Sequence, residues 1–117
     1  MLMMLNIDLC KRLAHGFTEA DFDHTHPEVR LEAYRVLGFT SKALVDVYWR
    51  TRLEAYRALG FKLKALEDED WYIRREAYRI FGYTINALND PCEGIREEAN
   101  YVLLLKNERC HCHWQCK

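Results

Sequence analysis

The sequence has no excess of charge of either sign and no long hydrophobic run. Its 17 basic and 18 acidic residues leave a formal net charge of -1, so no global field draws the chain to nucleic acid or to a membrane surface. The apolar start Met1–Leu5 is interrupted at Asn6 and Asp8 before it reaches the length of a signal peptide or a membrane span. We therefore expect a soluble, cytoplasmic protein that binds no membrane.

Cysteine is present, but not in the pattern of a disulfide-stapled domain. The five cysteines are an odd number, and three of them lie together at Cys110, Cys112 and Cys116. Half of the 117 residues are hydrophobic, so the chain can bury a core without covalent cross-links. The alternation of apolar and polar residues that marks strands is also missing, which favours an all-α fold.

A 22-residue period organises most of the chain. Glycine recurs at Gly38, Gly60 and Gly82, each followed by an aromatic residue and then by an Ala-Leu pair. A fixed period of this kind is typical of helical repeat proteins, in which each unit buries its apolar face against the next unit. The segments that precede the glycines are Val29–Arg35, Thr51–Arg57 and Ile73–Arg79, with Ile95–Ala99 opening a fourth copy.

Each unit is predicted to form one long helix and one short helical piece. In the first clear copy Val29, Ala33, Val36 and Leu37 follow the i, i+4, i+7, i+8 spacing of a single apolar helix face. Gly38 stands where a left-handed C-cap is needed. The residues that follow it offer only one or two further helical turns before the next long helix begins.

The two ends depart from the repeat, as capping units of a stack do. A degenerate copy with Gly16 precedes the first clear one, and Leu103–Leu105 replaces the expected last glycine. We predict a short right-handed α-solenoid of about five repeats over residues 1–109, followed by a Cys/His-rich tail at 110–117. Its predicted divisions are a degenerate N-terminal copy at about 1–28, repeats at 29–50, 51–72 and 73–94, and a C-terminal cap at 95–109.

The motif Asp-x4-[Val/Ile]-Arg-x-x-Ala occurs at Asp68–Ala77 and Asp90–Ala99. In this motif the chain resembles the HEAT repeats and the leucine-rich repeat variant, over roughly residues 7–105. The resemblance implies a solenoid whose long helices line a concave side, with a scaffold or binding role. It also implies contacts between the aspartate before each helix and an arginine within it, namely of Asp46, Asp68 and Asp90 with Arg52, Arg74 and Arg96.

The flanks of the apolar face are predicted to serve the stack. Arg30 and Tyr34 lie on one flank and Glu32 on the other, so each helix offers an arginine and a tyrosine to the glutamate side of its neighbour. Such half-buried charges need partners, and the tyrosines are predicted to pack against the next helix rather than to stack on a ligand. The same positions recur at Arg52, Arg74 and Arg96, at Tyr56 and Tyr78, and at Glu54, Glu76 and Glu98.

Two rows of residues are predicted to point away from the core and to bind a partner. The first row changes character between copies and consists of Leu31, Leu53, Arg75 and Glu97. The second row consists of Arg35, Arg57, Arg79 and Tyr101. Exposed leucines beside arginines suit an acidic and partly apolar protein. The alternative is a solvated face on which each arginine pairs with the glutamate three residues before it.

These features favour a non-catalytic protein-binding module, an adaptor or an inhibitor. Nucleic-acid binding is an alternative, but such proteins present a basic surface, whereas Glu67–Asp70 is acidic. A repair-like enzyme would need a carboxylate beside aromatic residues, for which Asp70, Trp49 and Trp71 are the candidates. For all three residues the ordinary roles are capping and packing.

The tail combines soft metal ligands at high density. Three cysteines and one histidine could complete a tetrahedral zinc site, although the spacing is not that of two C-x2-C pairs. The alternatives are ordinary thiol chemistry, a metal-linked oligomer and a terminus without function. A homodimer formed through apolar ends of the stack is a further alternative. The candidate zinc ligands are Cys110, Cys112, His113 and Cys116.

Overall fold

The computed structural model describes the backbone of residues 7–115 and the side chains of residues 7–105. Every regular element in this part of the chain is helical and none is a strand, so the predicted all-α class is confirmed. The chain divides into two compact units, Met1–Gly60 and Phe61–Lys117.

The first unit alternates α-helices with short 3-10 helices. The α-helices are α1 (Ile7–His15), α2 (Pro27–Leu37) and α3 (Trp49–Leu59), and the 3-10 helices between them are Glu19–Asp23 and Ser41–Val45. α2 starts at a proline, which has no N–H to leave unsatisfied at a helix start. Each 3-10 helix packs against the α-helix that follows it.

The second unit repeats this order with the same spacing. Its elements are the 3-10 helix Leu63–Glu67, α4 (Trp71–Phe81), the 3-10 helix Ile85–Asn89 and α5 (Glu93–Gln115). α2, α3 and α4 each have 11 residues. The helices α2 to α5 begin at residues 27, 49, 71 and 93, so the predicted 22-residue period is confirmed as a period of secondary structure.

Glycine ends each of the helices α2, α3 and α4. At Gly38 the φ angle is 110° and the ψ angle is 139°, a conformation that residues with a side chain rarely adopt. The N–H of Gly38 still donates to the carbonyl of Tyr34 at 2.8 Å, so the helix is hydrogen-bonded to its last residue. The predicted cap is correct in the sign of φ, but the ψ angle lies outside the left-handed helical region.

α5 differs from the earlier helices because it has no glycine stop. It carries Leu103–Leu105 where the others end, and it continues to Gln115. The predicted run-on is therefore confirmed, and the predicted end of the cap at residue 109 lies inside the helix. Of the helices in the described part of the chain, none is both long and apolar enough to pass through a membrane.

Alanines at matching positions of the repeat are fully buried in the core. Because their side chains are fully enclosed, a larger residue at any of these positions would have to displace its neighbours. The alanines at the matching position of α2 to α5 are 0% exposed, as are those at the matching position of three 3-10 helices. They are Ala33, Ala55, Ala77 and Ala99 in the α-helices, and Ala43, Ala65 and Ala87 in the 3-10 helices.

The buried face of α2 is not the predicted one. Val29 and Ala33 are fully buried as predicted, but Val36 is 58% exposed and Leu37 is 45% exposed. Tyr34, predicted to lie on a flank, is only 1% exposed. The prediction was wrong because it ranked these residues by hydropathy, whereas a tyrosine ring buries a larger apolar area than valine wherever aromatic neighbours enclose it.

Stacked aromatic rings explain the inward tyrosines. In the first unit the Tyr34 ring lies between those of Phe22 and Phe39, with centroid distances of 4.2 Å and 5.7 Å. In the second unit the Tyr78 ring stacks on that of Tyr83 at 5.6 Å. Such pairs add about 0.5–1.5 kcal/mol to the burial of apolar area. The prediction that the tyrosines pack in the structure is confirmed for Tyr34 and Tyr78.

The degenerate N-terminal copy replaces part of this core with an ion pair. Asp21 stands where the other copies have alanine, and it is 4% exposed. It accepts hydrogen bonds from Nε of Arg12 and from the backbone N–H of Thr18, each at 2.9 Å. Burial acts to raise the pKa of Asp21, but these donors outweigh burial and hold the pKa below its ordinary value. The buried carboxylate is therefore compensated.

Candidate functional site

Buried arginine–aspartate pairs are a shared feature of the two units. Arg30 donates to both carboxylate oxygens of Asp46 at 2.9 and 3.0 Å, and Arg74 binds Asp90 with the same two distances. The aspartate side chains are 6% and 3% exposed. The hydrogen bond from Arg74 to Asp90 raises the pKa of Arg74. Each pair is a bidentate contact between an arginine and a carboxylate.

The first copy carries the corresponding pair with reversed polarity. Asp8 stands at the position of Arg30, and His24 stands at the position of Asp46. Nε2 of His24 lies 3.1 Å from a carboxylate oxygen of Asp8. The two positions therefore hold complementary polar groups in this copy as well.

The contact implied by the family resemblance is made by the backbone. Arg52 donates to the carbonyl of Asp46 at 2.8 Å, and Arg96 donates to the carbonyl of Asp90 at 2.6 Å. The carboxylates of these aspartates are bound by the arginines that precede them in the chain, Arg30 and Arg74, as described above. Arg52 and Arg96 therefore stabilise the turns that precede their helices through hydrogen bonds to backbone carbonyl groups.

The outward arginines are each paired with two carboxylates. Arg35 donates to Glu54 of α3 at 2.8 Å and to Glu32 of its own helix at 3.0 Å. Arg79 donates to Glu98 of α5 at 2.8 Å and also pairs with the glutamate three residues before it. The predicted ladder between neighbouring helices exists, but these arginines supply it instead of the predicted row that begins at Arg30. The alternative pairing within one helix is confirmed.

The arginines of these clusters favour the ionised form of the glutamates that they contact. The hydrogen bond from Arg35 lowers the pKa of Glu54, and the hydrogen bond from Arg79 lowers the pKa of Glu98. In the second unit the hydroxyl of Tyr83 also donates to Glu98. Burial, followed by this hydrogen bond, raises the pKa of Tyr83 to about 12. At neutral pH the glutamates are therefore ionised and the tyrosine is protonated.

The residues of the first predicted binding row differ in their exposure. Leu31 is 5% exposed and Leu53 is 4% exposed, so the prediction that they point away from the core is wrong. α2 contacts α1 on one side and α3 on the other, and a helix with neighbours on both sides buries more than one narrow stripe. Arg75 is half-buried, and Glu97 is exposed.

The second predicted row lies at the surface. The side chains of Arg35 and Arg79 are 41% and 45% exposed, and Arg57 is also exposed. Tyr101, which ends the row, is 64% exposed. Exposure is a requirement for binding, but the glutamates already occupy donors of Arg35 and Arg79.

Exposed apolar side chains at the ends of the long helices were missed by the sequence analysis. Val36 and Leu37 end α2, and Leu59 ends α3 with 41% exposure. In the second unit Ile80 is 56% exposed and Phe81 is 41% exposed. These residues directly precede the glycine stops, and this recurrence is the signal by which they could have been found.

A groove of about 460 Å³ lies beside the end of α4 in the second unit. Its lining is mostly apolar but includes the Arg79 cluster described above. A groove of this composition can receive an apolar side chain next to hydrogen-bonding groups. The residues that line it include Tyr78, Arg79, Tyr83, Glu98, Val102 and Leu103.

The candidate carboxylate for a repair-like enzyme has a structural role. Asp70 is the N-cap of α4 and accepts a hydrogen bond from the backbone N–H of Tyr72 at 2.9 Å. Trp49 and Trp71 are the first residues of α3 and α4, with exposures of 37% and 47%. The carboxylate is therefore engaged in capping.

The predicted zinc ligands Cys110, Cys112, His113 and Cys116 lie outside the side chains that the structure describes. Within residues 7–105, no group of three His, Cys, Asp or Glu side chains is placed to hold a metal ion. The zinc site of the tail stays a prediction.

No family model, curated protein or solved structure matches the chain. The resemblance to HEAT repeats and to the leucine-rich repeat variant therefore stays a prediction, and function has to be argued from the residues themselves.

Proposed function

We propose that the chain is a non-catalytic protein-binding module that acts as an adaptor or an inhibitor. Each unit would offer its own contact surface at an exposed helix end, defined as Val36 and Leu37 in the first unit and Ile80 and Phe81 in the second, together with the arginine–glutamate cluster of that unit. The apolar side chains would supply buried area in the complex, and the clusters would supply hydrogen bonds at its rim.

Recurrence is the observation that supports this proposal. A single exposed apolar side chain is normal on a protein surface and needs no explanation. Here two adjacent large side chains are exposed at the end of α2 and again at the end of α4, at matching positions of the repeat. Grouped apolar exposure of this kind is typical of surfaces that bind other proteins.

The charge balance of the clusters favours a protein over a nucleic acid. Arg35 and Arg79 each pair with two glutamates, so neither cluster offers a surplus of positive charge to phosphate groups. Binding to nucleic acid depends on such a surplus. The pairing also argues against the strongly acidic target expected from an open row of arginines, and it favours a partner surface that is mainly apolar.

Substitution of one exposed helix end tests the proposal. The double variant Ile80→Ser/Phe81→Ser removes the apolar side chains at the end of α4. The matched control Leu63→Ser/Ile85→Ser removes two equally large side chains that are 67% and 73% exposed in the 3-10 helices of the same unit. Because all four are exposed, each variant should keep the stability of the parent within about 1 kcal/mol.

The readout is quantitative capture of proteins from the native cell by the parent and both variants. Each captured protein is then purified and titrated by calorimetry. We expect the helix-end variant to bind at least about tenfold more weakly than the parent, since buried apolar anchors dominate such interfaces, and the control to bind like the parent. Equal binding by both variants would reject the helix ends as the contact surface.

A further inference from the structure

Arg75 occupies a position that the other copies fill differently. It stands in α4 where α2 has Leu31 and α3 has Leu53, both of which are buried. Its guanidinium carbon lies 5.3 Å from the ring centroid of Trp71 and 4.9 Å from that of Tyr72. The half-buried cation therefore rests against two aromatic rings in place of an apolar contact.

This guanidinium has no anionic partner among the side chains that the structure describes. Its Nε atom is buried and donates no hydrogen bond, and no carboxylate oxygen within residues 7–105 lies at ion-pair distance from Arg75. Glu98 is near enough for the charge of Arg75 to help lower its pKa, after the larger effect of Arg79. The carboxylate oxygens of Glu98, however, accept hydrogen bonds from Arg79 and Tyr83.

An unpaired, half-buried cation is unfavourable for folding. Desolvation penalises the charge, and the attraction to the aromatic rings offsets only part of that penalty. Neighbouring Arg74 shows the usual solution, since its charge is matched by Asp90 at 2.9 Å. Leucine at the same position in two other copies shows that the fold does not require a cation there.

We propose that Arg75, held between Trp71 and Tyr72, is a carboxylate-binding site for the partner protein. The ligand would be an aspartate, a glutamate or a C-terminal carboxylate of the partner. Because its Nε atom is buried, the two terminal amino groups of this planar guanidinium would form the two parallel hydrogen bonds with such a group. This inference rests on the proposed function and specifies the chemistry that its partner presents.

The surroundings favour an isolated carboxylate over a nucleic acid. The acidic segment Glu67–Asp70 directly precedes α4, and its charges repel a polyanion whose phosphates extend over several nucleotides. A single carboxylate needs only the short-range contact with Arg75. Stacking of a base on Trp71 remains an outcome that the experiment below distinguishes.

The test is an NMR titration of the full chain at low salt with phenylacetate, which joins a carboxylate to an apolar ring. The signal followed is the Nε–H of Arg75, assigned as the one that Arg75→Leu removes. Because this nitrogen is buried, its proton should exchange slowly enough to be observed. Phenylacetamide serves as the uncharged probe, and an oligonucleotide of twelve thymidines serves as the polyanionic probe.

We expect phenylacetate to shift the Arg75 signal saturably. Phenylacetamide should bind at least about tenfold more weakly, because hydrogen bonds to a charged acceptor are stronger than those to a neutral one. The Nε–H of Arg79 provides an internal control, since it already donates to Glu98 at 2.8 Å and should move little. Lys64→Leu removes one exposed charge from the same unit and should leave the titration unchanged. Equal responses to the acid and the amide, or tighter binding of the oligonucleotide than of phenylacetate, would overturn the inference.

Failure of this inference is distinguishable from failure of the proposed function. If Arg75→Leu binds the captured partner as tightly as the parent while Ile80→Ser/Phe81→Ser does not, the binding module stands and the carboxylate site falls. If phenylacetate shifts the Arg75 signal but no protein is captured, the carboxylate site stands and the proposed function falls. Circular dichroism of each variant confirms that a lost response is not a lost fold.

Discussion

The two units contain the same stabilising contacts, yet their long helices α2 and α4 differ at a position that is an apolar residue in one and a cation in the other. Both contain a buried arginine–aspartate pair with distances of 2.9 and 3.0 Å. Both also contain an outward arginine that donates at 2.8 Å to a glutamate of the next helix. Repetition of these contacts indicates that they hold the fold, because each unit needs them independently.

The difference lies at Leu31 in the first unit and Arg75 in the second. The leucine is 5% exposed and completes an apolar contact, whereas the arginine is half-buried and has no carboxylate partner within residues 7–105. A position that changes while its framework stays the same is not constrained by the framework. The comparison therefore separates residues that stabilise the repeat from residues that are available for binding.

Removal of the inward tyrosines should cause the largest loss of stability in both units. Tyr34→Ala and Tyr78→Ala each delete a ring that is at most 5% exposed and leave a cavity. We expect the free energy of unfolding to fall by about 3–5 kcal/mol for either variant, as for other buried aromatic residues. Urea denaturation measures it, and a loss below about 1 kcal/mol in one unit alone would show that the units are not equivalent.

Removal of the buried aspartates should have the next largest effect. Asp46→Ala and Asp90→Ala leave Arg30 and Arg74 without their carboxylates, although both arginine side chains are only 12% exposed. Breaking a buried pair on one side typically destabilises a protein by about 3–5 kcal/mol. We expect losses in the lower part of that range, because the arginines keep some access to water. Unequal losses from the two substitutions in thermal and urea unfolding would contradict a common framework.

Ionisation of Tyr83, whose counterpart in the first unit is Phe39, should have a smaller effect on stability. The pKa of Tyr83 is raised to about 12, above the ordinary value of about 10, so the folded state favours the protonated phenol. Its contribution to stability is present below about pH 10 and is lost as the pH rises towards 12. In an absorbance titration at high pH, Tyr83→Phe should remove a component near pH 12. A Tyr83 that ionises near pH 10 would show that the phenol is neither buried nor hydrogen-bonded to Glu98 as described.

Much of the fold could be predicted from the sequence because the period repeats every local signal. The glycine stops and the fully buried Ala33 and Ala77 recur in each copy, so one copy corroborates another. The buried face could not be predicted in the same way, because tyrosine is amphipathic and its burial depends on rings that other segments supply. Exposure of Leu31 also depends on whether neighbouring helices cover both sides of α2, and hydropathy alone does not determine this.

The partners of the arginines were predictable in type but not in identity. Spacing along a helix predicts the pairing of Arg35 with Glu32, and this pairing is observed at 3.0 Å. The bond between Arg30 and Asp46 spans 16 residues and depends on how the 3-10 helix turns the chain. That Arg75 lacks a carboxylate partner among residues 7–105 is equally a property of the folded arrangement.

The most direct measurement of the central claim is the free energy of unfolding of Arg75→Leu by urea denaturation. If Arg75 serves binding rather than folding, the substitution loses about 0.5–1 kcal/mol of cation–aromatic attraction and gains up to about 1.5–3 kcal/mol from apolar burial. The account predicts a variant at least as stable as the parent. A loss of more than about 1 kcal/mol would mean that Arg75 stabilises the repeat, and it would contradict the separation of framework and binding residues.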